Sequence, residues 1–167
     1  MDVLEVIERA FEKRQRPASI IDAAHASPES TKDAMAFEGV EWRQVTCAML
    51  EKYFDAAIGF TPSAFCYFLP GIFSAGIRES RPDLLINDTL ISTLDRGNGP
   101  SSWDSFFAAR WPMLNPEECE AAQRWVLWLE EAVPPVIEEI SLTRAFDTLD
   151  LLSKQNLATP IAKYFPG

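Results

Sequence analysis

The chain is predicted to fold as an all-α domain, a compact single-domain bundle of about six to seven helices spanning 1–167. Three observations predict it. Apolar residues recur at helical spacing in one segment after another. Two segments open on a side-chain cap followed by proline, Thr61-Pro62 and Asn115-Pro116, the pairing that satisfies an orphan amide and pre-sets the first helical backbone angle. Finally, no pair of alternating strands is present, since Val40-Glu41-Trp42 is too short to count.

Taken in order, the first element places Val3, Leu4, Ile7, Ala10 and Phe11 on one face and Glu5, Glu8, Arg9, Glu12 and Lys13 on the other, an amphipathic helix. From 16 to 41 the signal weakens at Pro17, Ser27-Pro28-Glu29 and Gly39, which reads as an irregular wrap or lid with short helical turns. Thr46 leads a helix through Cys47-Ala48-Met49-Leu50 to Phe54. The run 56–77 then contains no charged side chain. Its length would span a bilayer, but Pro62, Pro70, Gly59, Gly71, Gly76 and three hydroxyls dilute it, so the expectation is a central helix hidden by its neighbours. Pro70 frees the carbonyl of Cys66 and is expected to kink that helix.

Leu84, Leu85, Leu90, Ile91 and Leu94 form the next helix, closing at Gly97; Gly97-Asn98-Gly99-Pro100-Ser101-Ser102 is the clearest loop. Ser102 is expected to cap a short helix carrying Trp103, Phe106, Phe107 and Trp111. The best-marked helix runs over 116–132: Glu118 three residues after Asn115 approaches a capping box, and Glu117 and Glu120 suit the positive end of the dipole. Pro134-Pro135 ends it. Val136, Ile137 and Ile140 begin another stripe that loses phase at Ser141, where a break is expected before Leu142, Ala145, Phe146, Leu149 and Leu152 resume it. The tail 156–167 is expected to be mostly unhelical, anchored by Ile161, Tyr164 and Phe165.

The stretch from Trp42 through Leu50 to Phe60-Thr61-Pro62-Ser63-Ala64-Phe65-Cys66-Tyr67-Phe68-Leu69-Pro70 resembles an uncharacterised bacterial domain family. In that family a tryptophan precedes a helix and then a phenylalanine, proline, aromatic-pair and Leu-Pro signature, and a later apolar helix matches 119–129. The similarity covers about residues 37–132 and leaves 1–36 and 133–167 outside. Its signature consists of core residues rather than chemistry, so it implies a bacterial helical domain and no particular activity.

Composition bounds the function classes. A hydrophobic share of 47% with 24% charged residues is that of a globular chain, not a disordered one. Cys47, Cys66 and Cys119 are odd in number, lack CxxC spacing and sit in apolar stretches, which reads as reduced thiols in a cytoplasmic protein. The opening Met1-Asp2 with Glu5, Glu8 and Glu12 carries no export signal.

Catalytic chemistry finds little purchase. The only histidine, His25, lies in Ala23-Ala24-His25-Ala26 and reads as a ring beside a helix end; there is no G-x-S-x-G turn, and Gly71 to Gly76 has the wrong spacing for one. No glycine-rich phosphate loop and no calcium loop occurs. No catalytic residue, metal ligand or cofactor is therefore assigned, although a carboxylate pair facing across a cleft is not legible in sequence. Charge placement is more informative. Over 113–150, nine acids (Glu117, Glu118, Glu120, Glu130, Glu131, Glu138, Glu139, Asp147 and Asp150) face only Arg124 and Arg144, a net −7 within a whole-chain −10. Such a field repels nucleic acid and anionic membrane and steers a basic partner inward; its plainer reading is a solvated helix face.

The leading expectation is a non-enzymatic protein-binding module, most concretely a bacterial immunity protein that neutralises a basic toxin by direct contact. Glu130, Glu131, Glu138 and Glu139 would pair with the toxin. Trp128, about 60° from Trp125 around its helix, or an aromatic of 102–111 such as Trp103 would fill a pocket. Two other readings stand beside it: a small enzyme or ligand carrier with a pocket near Trp42 and Phe60 to Pro70, and a structural homo-oligomer.

Overall fold

The computed structural model describes residues 1–24, 26–96 and 100–158. His25, Gly97 to Gly99 of the predicted loop, and the anchors Ile161, Tyr164 and Phe165 lie outside the described residues. The described chain is all-α, with nine α-helices: α1 (Val3–Phe11), α2 (Pro28–Met35), α3 (Cys47–Lys52), α4 (Ala56–Gly59), α5 (Pro62–Arg78), α6 (Leu85–Leu94), α7 (Ser105–Arg110), α8 (Pro116–Glu130) and α9 (Glu139–Ala158). Three 3₁₀ turns, Trp42–Gln44, Pro100–Ser102 and Trp111–Met113, complete the elements. The count exceeds the six to seven expected because α2 forms within the presumed irregular wrap and the single turn of α4 separates from α5.

Helix starts follow the capping chemistry. Asp2, Thr46, Thr61 and Asn115 each accept the amide of the residue three ahead, and Asn115 with Glu118 completes a reciprocal capping box. Ser27 and Ser30 form the same box at α2, so the Ser27-Pro28 pair that reads as loop is a helix start. Asp104, not Ser102, caps α7, its Oδ1 accepting the Phe107 amide at 2.8 Å. The expected break at Ser141 is absent: α9 runs from Glu139 through Ser141 and continues to Ala158, past the point where an unhelical tail was expected.

The core is built around α5, whose residues from Ala64 to Gly76 are all buried. The helix is continuous on both sides of Pro70, and no described helix is long and apolar enough to cross a membrane. Neighbours enclose it on every side: α1, the Trp42–Gln44 turn, α3, α7 and α8 all pack against it. Gly71 lets the turn come close, because a Cβ there would stand 2.5 Å from the Trp42 carbonyl oxygen and 3.0 Å from Val45. Tyr67 accepts the Trp42 amide at 3.3 Å. Around this seam the rings interlock, Phe60 stacked on Phe68 at 4.8 Å with Phe37 edge-on to both. These contacts lie in the Trp42 and Phe60 to Pro70 region, where a ligand pocket was an alternative expectation.

Two ion pairs tie distant segments to this core. Arg14 grips Glu118 with two nitrogens at 2.6 and 2.8 Å, joining the end of α1 to the start of α8. Buried Arg110 reaches Asp22 and the Phe60 carbonyl, both at 3.0 Å, and so holds the 16–41 segment down, next to an isolated bridge between Ile21 and Phe60. The three cysteines are free and buried. Burial pushes the Cys66 and Cys119 thiols up to about 12, and burial with Glu79 nearby pushes Cys47 up to about 11, so all three stay protonated at neutral pH.

Candidate protein-docking surface

The C-terminal hairpin is where the chain departs from apolar-inside order. α8 and α9 pack closely and run antiparallel, with Gln123 Nε2 donating to the Phe146 carbonyl at 3.3 Å. α8 buries Cys119, Ala122, Trp125, Val126 and Leu129, and Trp125 stacks on Phe73 at 4.4 Å. Leu127 falls outside that stripe and is 45% exposed. Along the connection into α9, Val133 is 94%, Val136 37% and Ile140 53% exposed, and only Ile137 turns inward. Among the described residues nine large apolar side chains stand exposed, and these four fall within the short 127–140 stretch.

Between the two helices lies a groove of about 160 Å³ with an apolar floor of Val126, Leu127, Leu142 and Phe146 and with Glu130, Thr143 and Asp147 at its edge. Glu130, Glu131, Glu138 and Glu139 are all exposed, and no ion pair or hydrogen bond engages their carboxylates among the described residues. Arg144, the one cation in 127–147, is turned toward Asp95, just after α6, at 3.6 Å. The surface is therefore apolar at its centre and acidic at its margin.

The sequence-predicted site residues separate under this geometry. The four glutamates sit together at the α8–α9 end of the molecule. Glu118, one of the nine acids of the run, is buried on Arg14 and contributes nothing to the outer face. Trp103 is 7% exposed, tilted against Phe107 at 4.9 Å, and cannot serve as a surface anchor. Trp128 is half-buried, with its six-membered ring against Gly76 of α5 rather than in the groove. The large apolar side chains exposed in this region are aliphatic, Leu127, Val133, Val136 and Ile140, rather than aromatic. Their one sequence signal was phase: Leu127 is out of register with Cys119, Ala122, Val126 and Leu129.

A larger open cleft of about 1030 Å³ lies between the 9–17 segment and the start of α8. Cations Arg9, Lys13 and Arg16 alternate there with Glu12 and Glu117, so its lining selects neither sign of ligand. Among the described residues no group of three His, Cys, Asp or Glu side chains is gathered to hold a metal ion. Comparison with protein families, with curated proteins and with solved structures finds no match. What fold and surface define is an all-α domain with an acid-rimmed apolar face.

Proposed function

We propose that this chain is a protein-binding module that docks a basic protein on the α8–α9 face, and in its most concrete form a bacterial immunity protein that covers and neutralises a cognate toxin in the cytoplasm. One observation carries the reading: exposed Leu127, Val133, Val136 and Ile140 coincide with the unpaired carboxylates of Glu130, Glu131, Glu138 and Glu139. An apolar centre supplies affinity through desolvation, and a charged margin supplies orientation and on-rate. A face serving solubility alone has no need of exposed aliphatics inside its acidic rim.

The test is affinity capture from source-cell lysate in parallel with wild-type chain, with Leu127→Asp, and with all four glutamates changed to lysine. A basic protein retained by the wild type and lost by both variants is the expected result. With that protein purified, the four-lysine variant should associate at least about tenfold more slowly at low salt, the scale of electrostatic steering. Equal association rates for wild type and variant at low salt would remove the electrostatic part of the reading.

A further inference from the structure

Resting on that reading, we infer that the groove between α8 and α9 receives a basic helix of the partner, an aliphatic side chain at its centre flanked by Lys or Arg four residues before and four residues after.

The spacing follows from the hairpin. Gln123 lies level with Phe146, and Val126 and Leu142 share the groove floor, so residue numbers on the two helices at one level sum to about 268–269. Glu130 and Asp147 therefore stand at opposite ends of the groove. Asp147 is level with about residue 121 of α8, some nine residues from Glu130, or roughly 13 Å at 1.5 Å per residue. On a helix laid along the groove, cations at i−4 and i+4 are separated by roughly 12 Å and stay within about 40° of the central residue, since four residues advance slightly more than one turn. A lysine or arginine at each position meets one carboxylate, and the residue between them faces Leu127 and Phe146.

Groove size sets the central side chain. A space of about 160 Å³ with an apolar floor admits one Leu, Ile or Met, and that floor offers a polar replacement no hydrogen-bond partner, since Glu130, Thr143 and Asp147 stand at the edge. Charge sets the flanks, because the charged side chains lining the groove, Glu130 and Asp147, are both carboxylates and no cation lines it; Arg124 and Arg144 stand outside the lining, Arg144 turned to Asp95. This is helix-in-groove recognition with an acidic receptor.

The test uses a displayed library of random 16-residue segments selected against the full chain. Winners are then measured against wild type, Thr143→Trp, which fills the groove from an exposed position, and the four-lysine variant. The expected winners carry an aliphatic residue with Lys or Arg at i−4 and i+4 and lose at least tenfold in affinity to Thr143→Trp, whose unchanged melting temperature shows that the fold is intact. Winners that are basic, lose affinity to the four-lysine variant and ignore Thr143→Trp would overturn the groove inference and leave the docking face standing. A selection that yields no basic sequences overturns both.

Discussion

α5 and the 127–140 stretch are both rich in large apolar side chains, yet one is enclosed over thirteen consecutive residues and the other leaves Leu127, Val133, Val136 and Ile140 in solvent. The difference lies in neighbours rather than in hydrophobicity. α5 is packed by α1, α3, α7, α8 and the Trp42–Gln44 turn, so side chains at every angle around its axis find a partner. The hairpin end is packed by α8 and α9 against each other, with α6 behind α9, and among the described residues no further helix is packed over its outward face. An apolar sequence thus specifies a core only where the chain returns to cover it. Where it does not return, the same composition makes a surface with unspent binding capacity.

The comparison predicts opposite responses to substitution, and the largest effect belongs to α5. Phe68→Ala removes a ring that stacks on Phe60, meets Phe37 edge-on and touches Tyr67. It is fully buried, so the cavity left behind adds to the lost transfer energy, and the loss of unfolding free energy should be about 3–5 kcal/mol. Chemical denaturation of wild type and variant measures it. A loss under 1 kcal/mol would mean that α5 is less tightly enclosed than the ring contacts require.

A smaller effect is expected from Gly71→Ala. Here nothing is removed; one methyl group is added where the Trp42 carbonyl oxygen already stands 2.5 Å from the Cβ position. The obstacle is backbone, and the turn is fixed further by the Trp42 amide on Tyr67, so the segment must shift as a unit. Overpacking of this kind costs about 1–3 kcal/mol, set against a small gain from the helix preference of alanine over glycine. Gly76→Ala is the internal control, because its nearest atom lies 3.5 Å away and the substitution should be close to neutral or stabilising. Equal melting temperatures for the two variants would break the claim that α5 is most tightly enclosed at the turn.

Legibility in the sequence divides along the same line. The helical class, α1, α3, α6 and α8, and the burial of the uncharged 56–77 run follow from periodicity and caps, because in those elements most of the apolar stripe is buried, Leu85 of α6 and Leu127 of α8 being exposed exceptions. α2 did not read as a helix although Ser27-Pro28 repeats the cap-plus-proline pattern of Thr61-Pro62. Its packing is made through small residues, with Ser30 and Ala34 against Gly59, and small residues leave no hydrophobic period. The break expected at Ser141 came from assigning Val136, Ile137 and Ile140 to one inward stripe. Only Ile137 turns in, and the true stripe of α9 is Leu142, Ala145, Leu149 and Leu152. On the candidate surface the acids were legible because charge is read directly, whereas the aliphatic centre was hidden by the default that apolar residues face inward.

The smallest expected effect on stability decides what that centre is for. Leu127→Ser exchanges a half-exposed aliphatic for a small polar side chain at the solvent-open groove of α8, where the new hydroxyl is reached by water and no buried polar group is left unsatisfied. The change in unfolding free energy should lie within about 0.5 kcal/mol of zero, the range of ordinary surface substitutions. On the proposed reading, a residue that contributes so little to the fold and stands inside an acidic margin has its energetic value in the docking contact. Measured in denaturant, a loss of 2 kcal/mol or more on the scale of buried leucines would instead place Leu127 in the structural core of the hairpin and remove the central anchor from the docking face.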